Sequence, residues 1–366
     1  MSEAALKAPV LPSRTPSAEP LPGTSCPLPI TIHDQIVLGH GSGGKLSANL
    51  LEQVFLPAFR NPVLDKLDDQ AILHINGSRL AFTTDSFVVT PLFFPGGDIG
   101  KLAINGTVND LAMSGARPLY LSAAFILEEG LPTADLRRIV ESMSDAANAA
   151  NVQLVTGDTK VVNRGKGDKI FITTTGIGVV EKPVDISADR ARQGDKIILS
   201  GYIGDHGMAI LSQRENLEFE GVIESDCAAL NDLVCEMLEI TNDIHCLRDP
   251  TRGGVATVLN ELASRSQVGM ILHETEIPVR DTVRGACEIL GLDPLYVANE
   301  GKLIAIVPGR VADATLERMR QNPLGKDARI IGEVVSTNPA MVLMKTEIGG
   351  TRVVDTLFGE QLPRVC

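Results

Sequence analysis

A chain of 366 residues with 44% hydrophobic and 22% charged side chains has an ordinary globular composition and exceeds what one hydrophobic core usually serves, which predicts two α/β domains. A net charge of -13, no tryptophan and three tyrosines argue against a nucleic-acid surface, while strand-length apolar runs argue against a membrane span or a secretory leader. The six cysteines (26, 227, 235, 246, 287 and 366) form no C-x-x-C pair, so a reducing compartment, the cytoplasm, is expected.

Residues 1–34 hold seven of the 21 prolines among Ser, Thr and Ala, the composition of a disordered extension. Strands are then expected at 71–75 and 80–89 around the turn Asn76-Gly77, and a helix at 98–115. A strand at 120–127, a helix at 133–151 and strands at 152–162 and 169–180 complete a first domain, 35–180. Glu181-Lys182-Pro183 marks a boundary. A second domain, 181–355, begins with a strand at 196–200. Helices near 206–214, 226–240 and 254–265 alternate with strands near 268–273, 302–307 and 328–335, ending in a hairpin of 340–345 with 351–355. Residues 356–366 read as a flexible tail.

That tail ends in Cys366, a thiol at a free terminus that no fold requires. A terminal thiolate can accept and carry an acyl-type group, and a lone cysteine at a frayed end is the plain alternative. Buried structural thiols are favoured over a zinc site drawn from Cys227, Cys235, His245 and Cys246, because paired ligand spacing is absent.

Gly39-His40-Gly41-Ser42-Gly43-Gly44-Lys45 nearly matches a phosphate loop, with Leu46 where the magnesium-binding hydroxyl would stand. A glycine flap over a triphosphate and an ordinary glycine-rich loop both fit. Asp68, Asp85 and Asp110, with Asn105 and Asn109 on one helix face, suit oxygen ligation of Mg²⁺; capping is the competing reading for Asp68 and Asp69. An unpaired charge at Asp85 within an apolar strand is costly, which weakens that alternative there. Asp158 and Lys160 put a carboxylate and a cation in a strand, for phosphate or proton transfer or as a surface ion pair. Asp249-Pro250-Thr251-Arg252-Gly253-Gly254 opens a helix with Thr251 as the expected N-cap, and Glu300 precedes a glycine and an apolar strand, as a base or in a turn.

Taken together, Gly-Ser-Gly-Gly-Lys at 41–45, Asp-Asp-Gln-Ala at 68–71, Thr-Thr-Asp-Ser at 83–86, Asn-Gly-Thr-Val-Asn-Asp-Leu-Ala at 105–112, Gly-Asp-Thr-Lys at 157–160, Asp-Pro-Thr-Arg-Gly-Gly at 249–254 and the terminal cysteine resemble the hydrogenase maturation family HypE. Its superfamily contains aminoimidazole ribonucleotide synthetase and selenophosphate synthetase. The resemblance covers residues 35–366 and implies a two-domain α/β (α+β) ATP-binding fold with a mobile tail. The first domain would bind ATP and pair into a homodimer. The implied activity is ATP-dependent dehydration of a carbamoyl group, placed on Cys366 by the carbamoyltransferase HypF, to a thiocyanate. The cyanide would then pass to iron on a HypC and HypD complex during [NiFe]-hydrogenase assembly. Carried over by position, Cys366, Lys160 and Glu300 are the catalytic candidates. Gly41, Gly43, Gly44, Lys45, Asp68, Asp85, Asn105, Asn109, Asp110, Asp158, Asp249 and Arg252 would hold ATP, with Asp68, Asp85, Asp110 and Asp249 on Mg²⁺. A small-molecule phosphotransferase or synthetase of the same superfamily would share these blocks without needing Cys366, and an ATP-gated thiol carrier would need the tail without the proton transfer.

Overall fold

The computed structural model describes residues 35–357 apart from 218 and 220; the proline-rich extension and Cys366 lie outside them. Asn76 and Gly77, both with positive φ (49° and 82°), make the tight turn between β1 (Ala71–Ile75) and β2 (Ser78–Phe87). Then follow α1 (Ile99–Ala112), β3 (Arg117–Glu128), α2 (Thr133–Ala149), β4 (Gln153–Val162) and β5 (Ile170–Val179). They form a five-stranded sheet in the order β1-β2-β5-β3-β4, in which only β3 and β4 run parallel. Asp98 caps α1 by accepting from the Gly100 and Lys101 N–H groups at 2.7 and 3.1 Å.

α1 lies on the inner face of the sheet and is buried around nearly all its circumference. On that face alternate residues of β2, Ala81, Thr83 and Phe87, are buried, whereas Phe82, Thr84 and Ser86 point outward and are exposed. The cover continues into the second half, where Ile104 and Val108 share one core with Leu230, Leu233 and Met237.

The second half contains β6 (Asp195–Leu199), α3 (Asp205–Arg214), α4 (Asn231–Ile240), β7 (Cys246–Arg248), α5 (Gly254–Ser266), β8 (Gly269–His273), α6 (Asp281–Leu290), β9 (Ile304–Pro308), α7 (Gly309–Gln321), β10 (Arg329–Val335), β11 (Met341–Lys345) and β12 (Thr351–Val354). Its seven strands are ordered β12-β11-β8-β10-β6-β9-β7.

Three differences from the sequence expectation have physical causes. Residues 226–230 are not helical, because their N–H groups bond outside any helix: Cys227 to Ser225 Oγ, Ala228 to Glu300 O, and Leu230 to Asn109 Oδ1. Helices α6 and α7 were not expected, yet each buries a regular stripe, Val283, Ala286 and Cys287 in one, Ala312, Thr315, Leu316 and Met319 in the other. The N-cap of α5 is Gly253 and not Thr251, with Gly253 and Gly254 both at positive φ (74° and 60°). A Cβ on Gly254 would stand 2.5 Å from the Leu295 carbonyl oxygen, so only glycine fits that turn.

Candidate active site

The two halves meet at a group of carboxylates, Asp249 buried and Asp69 and Asp110 half-buried. Asp110 comes from the last turn of α1, Asp69 from the approach to β1, and Asp249 from the residue after β7. Each offers an oxygen, and the three oxygens lie within 4.8 Å of one another. The Thr83 hydroxyl, on the inner face of β2, is 2.8 Å from Asp69 O and 2.9 Å from Asp110 Oδ2. It thereby fixes the two segments to one strand. Arg248 stands 3.0 Å from Asp69 and is itself held 2.8 Å from Glu261.

Burial raises the pKa of all three carboxyls, and repulsion from neighbouring carboxylates adds to it for Asp69 and Asp110. Asp69 and Asp110 are pushed well above the usual carboxylate range and Asp249 to about 6. Arg248 opposes this at Asp69 and Asp249 without removing it. Asp69 Oδ2 is buried without a hydrogen-bond partner. Convergent hard oxygens, three carboxyls only partly offset by Arg248, and an orphaned carboxylate oxygen form a donor set that fits a divalent cation such as Mg²⁺.

Asp85 lies on the same inner face, with Arg252 4.0 Å away and the Ser86 N–H donating to it at 2.7 Å. Burial raises its pKa, against the pull of Arg252. Asp68, by contrast, is not in the group. Its carboxylate accepts from Ser187 Oγ (3.0 Å) and the Ala188 N–H (2.9 Å), and it is the neighbouring Asp69 that joins Asp110 and Asp249. The doublet Asp68-Asp69 carried the signal, and only the fold decides which of the two turns inward.

Asn109 is also placed differently from the expectation. Its amide donates to Ala228 O and Glu300 O (3.1 and 3.4 Å) and accepts from Leu230 N (2.8 Å), so it braces one half against the other. One turn away, Asn105 donates to Cys227 Sγ at 3.6 Å. Cys227, Cys246 and Cys287 are buried thiols, pushed up by burial to about 12, 12 and 11, and His245 bonds Asp195 at 2.7 Å. No zinc cluster of these residues occurs among the described residues.

Glu300 is buried beside the cluster. Its backbone N–H donates to Asp226 (3.0 Å), which pairs with Lys302 at 3.1 Å. Desolvation first, then Asp249, Asp226 and Asp85, raise the Glu300 carboxyl well above its ordinary range, with Arg252 opposing.

The glycine loop passes over Arg252: a Cβ on Gly43 would lie 2.9 Å from Arg252 Cβ, whereas Gly41 faces open space. Lys45, expected on phosphate, instead pairs with Asp355 at 2.9 Å.

Asp158 and Lys160 are not brought to this site. Asp158 is in register with Ala124 and Lys160 with Ile126, both exposed, whereas buried Leu121 and Ala123 take the α1 side. They therefore occupy the outer face of edge strand β4, paired to each other at 2.6 Å with side chains 64% and 69% exposed. The ion pair explains their spacing, two residues apart on one strand face.

The AIR synthase related protein family matches over most of the chain, its N-terminal domain at residues 67–180 and its C-terminal domain at 192–343. Carbamoyl dehydratase HypE of Cupriavidus necator is 58% identical over 333 residues, which are 91% of this chain and 95% of that protein. A crystal structure of HypE in complex with ATP aligns at a TM-score of 0.77 and 53% identity, over 91% of this chain and 100% of the other. HypE in a crystallised HypE–HypF complex aligns at 0.81 and 49%, over 84% and 99%. With these carboxylates at the junction of two such domains, the chain belongs to the HypE family of carbamoyl dehydratases, within the AIR synthase related superfamily.

Proposed function

We propose that this enzyme uses ATP to dehydrate a carbamoyl group carried on its own Cys366 to a thiocyanate, which supplies the cyanide ligand of iron in [NiFe]-hydrogenase maturation. The observation that carries the reading is the juxtaposition of the half-buried Asp69 and Asp110 and buried Asp249 with buried Glu300. The first suits metal-bound phosphates and the second proton transfer. Family membership supplies the carbamoyl chemistry, and the HypE–ATP structure supports the choice of nucleotide.

Asp69, Asp110 and Asp249 would hold Mg²⁺, with Asp85 and Arg252 alongside; the ion, when bound, neutralises phosphate charge. The glycine loop would cover the phosphates. The carbamoyl oxygen attacks the γ-phosphorus and ADP leaves; the nitrogen gives up its two protons, the C–O bond breaks with loss of phosphate, and a C≡N bond forms. The balance is carbamoyl plus ATP to thiocyanate, ADP, phosphate and one proton, with the carbamoyl oxygen ending on phosphate. Glu300 is the base we assign to the nitrogen, since its raised pKa moves it toward the range in which such a group takes protons efficiently. Its seclusion from water also suits an intermediate that water would hydrolyse.

HypF is proposed as the donor of the carbamoyl group, in keeping with the HypE–HypF complex, and a HypC and HypD complex as the acceptor. A homodimer is proposed through the outer face of the first sheet, where Phe82, Tyr120 and Ile177 are 40–47% exposed. Among the described residues no helix is long and apolar enough to cross a membrane. We place the enzyme in the cytoplasm.

The test is the mass of the terminal peptide after incubation with the carbamoyl donor and Mg-ATP. The reading expects carbamoyl addition, then loss of one water, and neither in Cys366→Ala. Modification persisting in Cys366→Ala refutes the carrier role; carbamoylation that never proceeds to loss of water refutes the dehydration.

A further inference from the structure

We propose that Lys45, Asp355 and Tyr296 are positioning residues that fasten the root of the tail to the glycine loop, so that the loop over the nucleotide and the tether of the reacting thiol act as one unit. The inference rests on the reading of Cys366 as the carrier. It goes beyond that reading in naming which groups couple the tail to the nucleotide site.

The root is held first on the second half of the molecule. After β12, Asn260 Nδ2 donates to Val354 O at 2.9 Å, the Tyr296 hydroxyl donates to Asp355 O at 2.9 Å, and Arg352 pairs with Asp293 at 2.6 Å. The root in turn grips the loop. The Lys45 N–H donates to Leu357 O at 2.9 Å, and Lys45 Nζ meets the Asp355 carboxylate at 2.9 Å. There is no slack between them: a Cβ on Gly44 would stand 2.3 Å from Leu357 O, and one on Gly43 would stand 2.9 Å from Arg252 Cβ.

A continuous series of contacts therefore runs from the tail root through Gly44 and Gly43 to Arg252, and from Arg252 to Asp85 beside the carboxylate group. A loop in this position cannot shift over a nucleotide without moving against the root. Lys45, which sequence spacing assigns to phosphate, spends its N–H and its amine on the root instead.

Energetics argue for direction over stability. Lys45 and Asp355 are 42% and 66% exposed, a degree at which an ion pair adds little to folding. Fixing where a tether starts is different, because it sets the effective concentration of the group at its end. Nine residues follow Leu357, and an extended segment of that length spans at most ~30 Å. Where the root points thus bears strongly on which surfaces the thiol samples.

The experiment compares wild type with Asp355→Ala, Lys45→Ala, Tyr296→Phe and the exchanged pair Lys45→Asp with Asp355→Lys. The first readout needs no turnover: the alkylation rate of Cys366 in the uncarbamoylated full-length protein, with and without Mg²⁺ and a non-hydrolysable ATP analogue. Wild type should change its rate several-fold on adding the analogue, each alanine variant should lose most of that response, Tyr296→Phe should lose part, and the exchanged pair should regain most of it. The second readout is conversion of the carbamoylated tail. Asp355→Ala should slow its own tail about fivefold while converting a carbamoylated terminal peptide, supplied in solution, at the wild-type rate.

A wild-type alkylation rate indifferent to the analogue, or an exchanged pair no better than the single variants, overturns the coupling. The latter outcome would return Lys45 to the phosphates. Absence of any dehydration by wild type would refute the proposed function while leaving the alkylation result to judge the coupling.

Discussion

Two carboxylate groups on opposite faces of the same five-stranded sheet behave as electrostatic opposites. On the inner side half-buried Asp69 and Asp110 converge with buried Asp249, and desolvation raises their pKa values. On the outer side Asp158 is exposed on an edge strand, and hydrogen bonding to Lys160 holds its carboxyl below the ordinary range. Residue type is the same, and sequence placed Asp110, Asp249 and Asp158 alike in the nucleotide site. The difference is that the inner group gathers three carboxyls against the single guanidinium of Arg248, whereas the outer carboxylate is matched by its own lysine. Only the first has a standing reason to take up a cation.

The largest effect expected from this contrast is on Asp249→Asn and Asp110→Asn. Each should lower metal-dependent turnover by at least about 100-fold, the scale on which removing a group that stabilises developing charge is felt. At the same time Asp249→Asn should make the metal-free protein more stable. A carboxyl with an unfolded value near 3.8 and a folded value of about 6 favours folding below the first and loses that contribution as pH rises through the second. At pH 7.5 its ionisation therefore costs folding roughly 1–3 kcal/mol, which a neutral amide avoids. Denaturant unfolding in EDTA should show the variant more stable than wild type, and in Mg²⁺ wild type should gain where the variant does not. A variant that is less stable in EDTA and still stabilised by Mg²⁺ would show that the inner group is no different in kind from the outer pair.

How far the sequence made this contrast legible depended on whether a feature was local. Alternating apolar residues and turns located most strands, and the turn Asn76-Gly77 was evident. The carboxylate blocks at 68, 85, 110 and 249 were recognisable as chemistry-bearing. What could not be read was direction. Asp68 and Asp69 are adjacent, and their opposite fates follow from contacts more than a hundred residues away, with Ser187 and Ala188 for one and with Arg248 for the other. Asn109 looked like a ligand because an amide on an apolar helix face needs partners; those proved to be backbone groups of 228–230 and 300. Lys160 looked enclosed because its strand neighbours are apolar, and only the sheet order shows that β4 is an edge. The capping of α5 by Gly253 was likewise hidden, since Thr251 matches the usual N-cap chemistry and only backbone conformation distinguishes them.

A buried basic group extends the comparison with the opposite sign. His206 is fully buried on α3, with Nδ1 2.8 Å from Ser225 Oγ and its ring edge-on to Phe94, and burial lowers its pKa to about 4. The unfolded chain takes up a proton near pH 6.5 while the folded chain resists until about 4, so stability should fall as pH drops through that window. The loss attributable to this one group is on the order of 3 kcal/mol by pH 4. Subtracting the pH profile of His206→Gln from that of wild type, each measured by denaturant unfolding, should reveal a component between pH 6.5 and 4. Parallel profiles would mean that the interior around His206 is not a low-polarity environment, and would weaken the same burial argument for the inner carboxylates.

The smallest effect is expected at the outer pair, and it is the sharpest check on the comparison. In the single chain Asp158 and Lys160 are exposed on the face of the sheet away from α1, the face the proposed dimer would use, so neither is positioned to sense a cation bound by Asp69, Asp110 and Asp249 of the same chain. An exposed pair two residues apart on a strand also contributes little to folding. Measured on the monomer, Asp158→Ala and Lys160→Ala should therefore melt within about a degree of wild type and keep the full Mg²⁺-dependent gain in melting temperature. Their affinity for a non-hydrolysable nucleotide should stay within about twofold. Calorimetric titration and thermal melts are sufficient, because neither needs the carbamoylated tail. A loss of metal-dependent stabilisation in Lys160→Ala comparable to that in Asp249→Asn would show that the two faces communicate, and that an exposed pair can carry part of the site after all.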